Sequence, residues 1–454
     1  MHLSFFISGR LESLEATSYT KIVILNTYFM SHNSKLVKKI LSDFSKEKTI
    51  EAFAKQLAPL SQEEIDNLDF TRFNPTATTD GYKKRLEYLE ERGVSIENLG
   101  GEKDFNNPEE YKGNIENYIG MAQIPVGLAG PILINGTKAL GDFFIPLATT
   151  EGALVASYSR GMKACRLSGG ISSVCLTEGV QRCPYFKFNT IGEVGIFIKW
   201  IDKNIDHFTE IISKTSRFAQ LKEVETTIEG NSVILTFEYT TGDAAGQNMV
   251  TICTDEICQF ILSNTPIAPR QWYIESNYSG DKKATTVSFA NVRGKKVTSE
   301  IIIPKEICEK TLRSTPELIS HYWQSSTLAA IQSGSIGAQG HVANGLTALF
   351  LACGQDVACI SESSIGLTRM EVNDKGDLYV AVTLPSLIVG TVGGGTSLPT
   401  QKECLEMLGC TGAGSAIKFA EICGAIALAG EISIASAMSA NQFTSAHQNL
   451  GRTK

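Results

Sequence analysis

Four glycines lie within the seven residues 390–396, directly after the apolar run 384–389. Glycine leaves backbone bare where another group must approach closely, and it tolerates positive φ. Consecutive bare N–H groups can hold a phosphate or a pyrophosphate. The spacing is neither the dinucleotide fingerprint nor a P-loop. Taken alone, the glycine loop is therefore equally consistent with a tight turn packed beneath a neighbouring helix.

Length and charge limit the classes of protein that fit. The chain has 454 residues, too many for one ordinary hydrophobic core, so two or three domains are expected. Its formal net charge of −7 argues against a nucleic-acid partner, because phosphate backbones demand clustered Lys and Arg. An anionic ligand must therefore be bound by a local basic site.

The 11 cysteines contain no CxxC pair. Two of the nearest spacings, Cys253/Cys258 and Cys353/Cys359, fall in helix-like or apolar segments that suit buried thiols. Reduced cysteines of this kind indicate a cytoplasmic protein without a zinc site, and we expect no metal cofactor.

The most hydrophobic segment, residues 417–438, is interrupted by Lys418, Glu421 and Glu431. It predicts a buried, Ala-rich core helix rather than a membrane span. Two apolar runs near the start, 4–7 and 22–25, are too short for a signal peptide. No membrane partner is expected.

Pattern shifts predict the domain organisation. Residues 1–109 are rich in Lys, Glu and helical spacing, as in 80–93 where Gly93 ends a helix, and they predict a small helical N-terminal domain. Within it, residues 1–29 have no sustained periodicity and are expected to be peripheral. Further along, Thr149 or Thr150 is predicted to cap a helix that runs towards Ser168, with Glu151 in its first turn.

Between residues 184 and 274 the signals alternate as β-α-β-β-α-β. Helices are predicted at 191–207 and 246–262, with strands at 224–228 and 233–237 joined by a turn at 229–231. This predicts a ferredoxin-like domain inserted into a large α/β domain made of residues 110–183 and 275–454. The predicted fold class is α+β, with the long buried helix at the centre of the large domain.

Five further motifs accompany the glycine loop: 146–152, 242–249, 281–283, 354–356 and 445–447. In this order they closely resemble the catalytic portion of class I 3-hydroxy-3-methylglutaryl-coenzyme A (HMG-CoA) reductases. The resemblance extends from about Tyr82 to Arg452. The animal and fungal members of that family carry a membrane anchor, for which this sequence has no counterpart.

Reducing a thioester to an alcohol takes two hydrides, a group that stabilises an oxyanion, a proton donor, and an acid for the leaving thiolate. The resemblance assigns Lys282 to the carbonyl oxygen, Glu151 to proton donation, Asp356 to a position between them, and His447 to the thiolate. Neighbouring carboxylates raise each other's pKa and a lysine lowers it, so a partly protonated Glu151 is feasible. Taken singly, a residue such as Lys282 is more often a surface charge, Glu151 a helix-start acid and Asp356 a turn former.

The resemblance also implies the ligand contacts. The dinucleotide site would comprise Asp243, Ala244, Gly246, Gln247, Asn248, Gly390, Thr391, Gly393, Gly394 and Gly395. Ser216 and Arg217 match the segment that meets the 2′-phosphate, which favours NADPH because guanidinium pairs well with phosphate. The alternative for Arg217 is a surface arginine beside a helix end.

Substrate contacts follow in the same way. Residues matched to the hydroxymethylglutaryl group are Arg182, Lys283 and Asn344, and those matched to coenzyme A are Ser157, Arg160 and His341. Two positions depart from the family: Glu275 stands where many members have Ser, and Ala446 stands where animal members have Ser. For Glu275, either a substrate contact is lost or the side chain points away.

Residues 116–120 resemble the family's dimer motif, which implies a homodimer or a dimer of dimers with active sites built across subunits. The predicted function is NADPH-dependent reduction of HMG-CoA to mevalonate and free coenzyme A. One alternative is an NAD-linked, mevalonate-oxidising enzyme of class II. Little sequence follows His447, whereas class II carries a C-terminal flap. The other is a non-catalytic coenzyme A or nucleotide sensor, which the intact catalytic set disfavours.

Overall fold

The computed structural model describes residues 40, 42, 44, 46–68, 78–101, 108–111 and 113–441. Contacts divide the chain after Lys55, and apart from the bounds of the helix Ile50–Leu57 the description below concerns the part from Gln56 onwards. The predicted peripheral segment 1–29 and His447 lie outside the described residues.

Helices and strands alternate through the described chain. The strands are β1 (Val126–Gly136), β2 (Leu140–Ala148), β3 (Ile171–Arg182), β4 (Tyr185–Lys187), β5 (Gln220–Glu229), β6 (Ser232–Thr240), β7 (Gln271–Tyr273), β8 (Gly294–Ile303), β9 (Leu367–Val372) and β10 (Leu378–Leu387). The helices are α1 (Ile50–Leu57), α2 (Gln62–Asp66), α3 (Thr79–Glu90), α4 (Leu154–Leu167), α5 (Ile191–Lys203), α6 (Ile205–Thr215), α7 (Gln247–Asn264), α8 (Val287–Ala290), α9 (Lys305–Ile307), α10 (Pro316–Ser333), α11 (Val342–Ala352), α12 (Ile360–Ser363), α13 (Pro399–Met407) and α14 (Ala416–Ser439). Short 3₁₀ turns cover Pro108–Tyr111, Val357–Cys359 and Gly394–Ser397, and a π-helical turn covers Cys308–Leu312. The predicted α+β class is confirmed.

The large part of the sheet is built on β3. It runs in the order β3, β8, β10 and β9 with antiparallel neighbours, and β1 pairs in parallel with β3 while its other edge pairs with β2. Helix α14 packs on this sheet and also contacts α4 and α11. At the crossing of α4 and α14, a Cβ on Gly161 would lie 2.0 Å from the carbonyl oxygen of Ala429, so only glycine permits the approach.

The prediction of a long buried core helix is confirmed by α14. Within the described residues this helix alone is long and apolar enough to cross a membrane, and 83% of its most apolar 18-residue window is buried inside the protein. Its two acids, Glu421 and Glu431, are buried, and both carboxylates accept backbone N–H groups. The Glu421 carboxylate accepts the N–H groups of Lys138 and Ala139, each at 2.8 Å, in the β1–β2 turn. Buried carboxylates are tolerated when backbone donors satisfy them in this way.

The β-α-β-β-α-β prediction is also confirmed. Strands β7, β4, β6 and β5 lie in that spatial order and are all antiparallel, and α5, α6 and α7 supply the helical connections. A separate hydrophobic cluster forms beneath them. Pairing of β6 with the end of β3 joins these strands to the large sheet. The domain limits at residues 109, 183 and 274 stay predictions.

One predicted helix is wrong in detail. The segment 191–207 was expected to be continuous, but α5 ends at Lys203 and α6 begins at Ile205. Between them, the Asn204 side-chain amide donates to the carbonyl of Trp200 at 2.7 Å. Asparagine side chains compete with helical backbone bonds in this manner, so the chain turns at Asn204 and then extends to Thr215.

Candidate active site

Two of the predicted catalytic residues form an ion pair. The Lys282 Nζ lies 2.9 Å from Asp356 Oδ2, and the two side chains are 46% and 44% exposed. The hydrogen bond to Asp356 raises the pKa of Lys282 above its ordinary value. Burial acts to raise the pKa of Asp356, but the Lys282 ammonium and the Ala358 N–H together leave that pKa below its ordinary value. Both groups are therefore charged at neutral pH.

The backbone of Lys282 lies in the left-handed region, with φ of 55°. Residues other than glycine rarely adopt this conformation, and it persists only where the surroundings impose it. Backbone hydrogen bonds from Gly280 to Asn277 at 3.2 Å and from Lys283 to Gly280 at 3.0 Å form the turn that imposes it here. The turn thus fixes the point from which the Lys282 side chain starts.

A buried charge network supports this turn from below. Arg293, whose side chain is 2% exposed, donates from Nε to Glu362 Oε1 at 3.2 Å and from Nη2 to Asp281. The Glu362 carboxylate also accepts the Lys283 N–H at 3.2 Å. Burial raises the pKa of Glu362, and Arg293 opposes that rise. The residues on both sides of Lys282 are therefore held in place.

Sequence reasoning missed Arg293 and Glu362. Nothing in the spacing distinguishes them from surface charges, because both depend on contacts between distant segments. The one available signal was Asp281, an acid next to the candidate lysine whose partner was left unassigned.

Arg182 was expected to bind the substrate, and its guanidinium is occupied by the protein itself. Its Nη1 lies 3.2 Å from Glu275 Oε2 and 3.3 Å from Asp281 Oδ2. Its Nη2 donates to the carbonyl of Gln247 at 3.4 Å. Glu275 was expected either to remove a substrate contact or to point away from the site. Neither expectation describes the structure fully, because its side chain forms an ion pair with Arg182.

Glu151 lies in a second cluster. The Asn344 side-chain amide donates to Glu151 Oε2 at 3.3 Å. The predicted helix cap is wrong: α4 begins after Ala153, which has φ of 70° and gives no side-chain cap. Thr149 Oγ1 accepts the Glu151 N–H at 3.0 Å instead, so Glu151 precedes the helix rather than lying in its first turn. The threonine closes a local turn that competes with capping.

The residues matched to coenzyme A converge beside this second cluster. His341 Nε2 lies 3.1 Å from Ser157 Oγ, and Ser157 Oγ lies 3.0 Å from Ser433 Oγ. Arg160 donates from Nη2 to the carbonyl of Ser433 at 2.6 Å. The buried Glu431 carboxylate of α14 accepts the His341 N–H at 2.6 Å and so anchors the start of α11.

The two predicted dinucleotide motifs are packed together. The Thr391 N–H donates to the carbonyl of Asp243 at 2.8 Å, and Ala244 forms an isolated parallel β-bridge with Val392. A Cβ on Gly390 would lie 2.5 Å from the Ala245 nitrogen, so glycine is required there. The Asp243 carboxylate accepts the N–H groups of Gly414 at 2.7 Å and Ala416 at 3.0 Å, which makes it an anchor for the start of α14.

The glycine loop is also joined to the segment that carries Asp356. The Gly390 N–H donates to Gln355 Oε1 at 2.9 Å, and the backbones of Gly354 and Gly395 are in close contact. Gly393 and Gly394 face open space on the side where a Cβ would project. Helix α7 begins after Gly246, at φ of 82°, without a side-chain cap. Unobstructed backbone N–H groups at the loop and the N-terminus of the 18-residue helix α7 can both bind negative charge. They are therefore suited to a pyrophosphate.

Ser216 and Arg217 lie at the end of α6. Ser216 Oγ accepts the N–H groups of Phe218 at 3.2 Å and Ala219 at 3.1 Å, so its hydroxyl shapes the turn. Arg217 is exposed and has no acidic partner among the described residues. Within that same part of the chain, no hydrogen bond or ion pair joins this turn to the two dinucleotide motifs. It also contains no group of three or more His, Cys, Asp or Glu side chains arranged to hold a metal ion.

Comparison with known proteins agrees with this arrangement. The sequence model of the family described as "Hydroxymethylglutaryl-coenzyme A reductase" matches residues 81–452. The chain is 43% identical over 377 residues to the 3-hydroxy-3-methylglutaryl-coenzyme A reductase of Pyrococcus horikoshii, covering 81% of this chain and 91% of that protein. It is 38% identical over 383 residues to that of Haloferax volcanii, covering 83% and 94%.

The chain belongs to the HMG-CoA reductase family. Its function is therefore the reduction of HMG-CoA in the mevalonate pathway. Among solved structures, a class II HMG-CoA reductase from Streptococcus pneumoniae bound to NADPH in open conformations is similar, with a TM-score of 0.64 and 18% identity over 84% of this chain and 100% of that one. At that identity the likeness confirms the fold alone.

Proposed function

We propose that this HMG-CoA reductase is of class I and converts its thioester substrate to mevalonate and free coenzyme A with two molecules of NADPH. The observation that carries the proposal is the Lys282–Asp356 ion pair, at 2.9 Å, on a turn tied down by buried charges. A sensor that had lost catalysis would have no need for a strained lysine held in one place. The likeness of the motifs to those of class I members supports class I over the NAD-linked class II alternative.

Each residue has a defined chemical task. Bound NADPH supplies the hydride. The Lys282 ammonium hydrogen-bonds the carbonyl oxygen and stabilises its negative charge as the hydride arrives. Asp356 keeps Lys282 protonated, as the raised pKa of the lysine indicates. Glu151 donates the proton to the oxygen, and His447 protonates the departing thiolate.

Cofactor binding would use the glycine loop and the start of α7, with Arg217 at the 2′-phosphate. The loop and the helix start are packed against each other, which fits one extended ligand crossing both. Arg217 is exposed and without an acidic partner in the described chain, so its guanidinium is available to a phosphate. The Streptococcus pneumoniae neighbour is an NADPH-bound enzyme, which agrees with this choice.

We further propose that the active site is shared between two subunits. Asn344, the partner of Glu151, lies at the start of α11, whereas Asp356 follows its end. About 12 Å of helix rise separates Asn344 from the last residue of α11, too far for both clusters to act on one carbonyl. Two copies of the chain could bring the Glu151 cluster of one to the Lys282 cluster of the other.

Exposed apolar residues support the dimer. The segment with the resembled dimer motif leaves Ile115 52%, Ile119 101% and Val126 40% exposed. Apolar side chains in such a run are covered when a partner packs on them. The arrangement would be a homodimer or a dimer of dimers.

The assay follows absorbance at the nicotinamide band with HMG-CoA and either NADPH or NADH. We expect oxidation of NADPH, two per thioester consumed, and little with NADH. Lys282→Gln should abolish the reaction, and Lys375→Gln, at an exposed lysine in the β9–β10 turn, is the matched control. A preference for NADH would favour the NAD-linked, mevalonate-oxidising alternative, and no turnover with either cofactor would favour a sensor.

Subunit sharing has its own test. Lys282→Gln and Glu151→Gln, each inactive alone, are mixed, dissociated and reassociated. Hybrid dimers would contain one intact site, so the mixture should recover about a quarter of the wild-type activity. A mixture that stays inactive would show that both residues act within one chain.

A further inference from the structure

Glu275 stands where many members of the resembled family have serine, and here it contacts Arg182. Its Oε2 lies 3.2 Å from Arg182 Nη1 and accepts the Cys183 N–H at 3.2 Å. The Arg182 side chain is 7% exposed and that of Glu275 is 17% exposed. The two side chains therefore form a largely buried ion pair.

Three polar atoms around this contact are buried without hydrogen-bond partners. They are Arg182 Nε, Gln247 Nε2 and Glu275 Oε1. Buried donors and acceptors are nearly always paired, so the two free donors, one on the Arg182 guanidinium and one on the Gln247 amide, suit a ligand that brings acceptor oxygens. A carboxylate is such a ligand.

The positive charges here are already neutralised. The carboxylates of Glu275, Asp281 and Glu362 contact two guanidinium groups, those of Arg182 and Arg293, and Lys283, whose Nζ donates to the carbonyl of Asp281 at 2.9 Å, is the third cation. A further carboxylate would therefore meet no excess of positive charge unless one of the three carboxylates moved away. Asp281 and Glu362 are fixed by Arg293, whereas Glu275 has one oxygen without a partner. Glu275 is thus the carboxylate that can leave most readily.

We propose that Glu275 is an internal occupant of the carboxylate subsite at Arg182 and sets the affinity of this enzyme for the acidic end of its acyl substrate. The substrate carboxylate must displace Glu275 before it can bind Arg182. This inference rests on the proposed function. It makes Glu275 a specificity-determining residue rather than a catalytic one.

The test compares Glu275→Ala, which empties the subsite, with Glu275→Gln, which removes the charge but keeps the volume. Glu275→Ala should lower the KM for HMG-CoA and for mevaldehyde by about tenfold each, since both carry the same carboxylate. Glu275→Gln should lower them less. The KM for NADPH should stay within about twofold, because Glu275 hydrogen-bonds Arg182 and Cys183, and neither residue is assigned to the cofactor. Glu371→Ala, at an exposed ion pair, is the control.

A binding measurement separates affinity from turnover. Free 3-hydroxy-3-methylglutarate, titrated by calorimetry, should bind Glu275→Ala about tenfold more tightly than the wild-type protein. The gain should vanish when Arg182→Ala is added to Glu275→Ala. Thermal melting checks that each variant is folded. If Glu275→Ala is not folded, Glu275→Gln takes its place in the binding measurement.

An unchanged or raised KM for both carboxylate substrates in the folded variants would overturn the inference. So would tighter binding that persists without Arg182, since Glu275 would then act elsewhere. Failure of the proposed function itself would give a different result, because the wild-type protein would then not reduce HMG-CoA at all.

Discussion

Lys282 and Asp356 meet at 2.9 Å although they belong to different segments, one in the turn after β7 and the other beyond the end of α11. The lysine is held by the hydrogen-bonded turn 277–283 and the buried network beneath it, and the aspartate by the 3₁₀ turn Val357–Cys359 that it caps. Each side chain is thus placed by its own segment before the two interact. That preorganisation suits a cation that must be ready when negative charge develops on the substrate.

Replacing Asp356 by Asn should lower the pKa of Lys282. The hydrogen bond to Asp356 is the main reason that this pKa is raised, so its removal leaves desolvation to act in the opposite direction. NMR titration of isotopically methylated lysines would measure the shift, with Lys282→Arg to assign the signal. An unchanged Lys282 pKa in Asp356→Asn would show that the ion pair does not hold the proton on the lysine.

Arg293→Met should destabilise the protein by about 3–5 kcal/mol, because it leaves the buried carboxylate of Glu362 without its cation, whereas Asp281 keeps Arg182. Chemical denaturation gives the free energy of unfolding. Arg369→Met is the matched control: the Arg369–Glu371 pair is 60% and 43% exposed, and its loss should cost about 0–1 kcal/mol. Equal costs for the two variants would mean that the buried network contributes no more than a surface pair.

The cost of Arg293→Met should depend on pH. Burial already raises the pKa of Glu362 in the folded protein, and loss of Arg293 raises it further. A carboxyl whose folded pKa exceeds its unfolded pKa destabilises the fold increasingly as pH rises above the unfolded value. The difference between variant and wild type should therefore shrink as pH falls from 7 towards about 5. A difference that grows on acidification would contradict this charge balance.

Arg217→Ala should weaken NADPH binding by about 1–3 kcal/mol and leave NADH binding little affected, because only NADPH carries the 2′-phosphate. Lys214→Ala, an exposed cation in the last turn of α6, controls for a general loss of positive charge. Fluorescence titration with both cofactors measures the effect. Equal losses for the two cofactors would remove Arg217 from the 2′-phosphate site.

Much of the fold could be predicted from local patterns. Period-two strands, the turn at Gly230 and the helix ending near Gly93 are encoded in short stretches, and each is found where the sequence placed it. The errors arose at polar side chains that can form either of two local hydrogen bonds. Asn204 interrupts a predicted helix, and Thr149 closes a turn rather than capping α4. Propensity does not decide such competition, since both outcomes satisfy the side chain.

The site was predictable only in part, for a different reason. The sequence motifs identified Lys282 and Asp356. No local sequence feature indicates that Arg293 and Glu362 lie beneath them, or that Glu275 contacts Arg182. Those contacts form between segments far apart in sequence. A charged residue that is exposed and one that is buried in a pair look the same in a single sequence.

His447→Gln should separate the two reductive steps. The first hydride gives a hemithioacetal whose collapse releases a thiolate, and a nearby acid must protonate that thiolate before it adds back to the aldehyde. The second hydride goes to free mevaldehyde, for which Lys282 and the carboxyl groups suffice. Glutamine keeps the size and hydrogen bonding of histidine but carries no transferable proton. Reduction of HMG-CoA should therefore fall by roughly 10²-fold or more, as general-acid losses typically do.

Reduction of added mevaldehyde should survive far better in His447→Gln, whereas Glu151→Gln should impair both reactions because both need a proton on the same oxygen. Steady-state rates with HMG-CoA and with mevaldehyde, measured for both variants at saturating NADPH, give the four numbers required. If His447→Gln slows the two reactions equally, the histidine is not the acid for the thiolate, and the proton must come from a group within the Lys282 or Glu151 cluster.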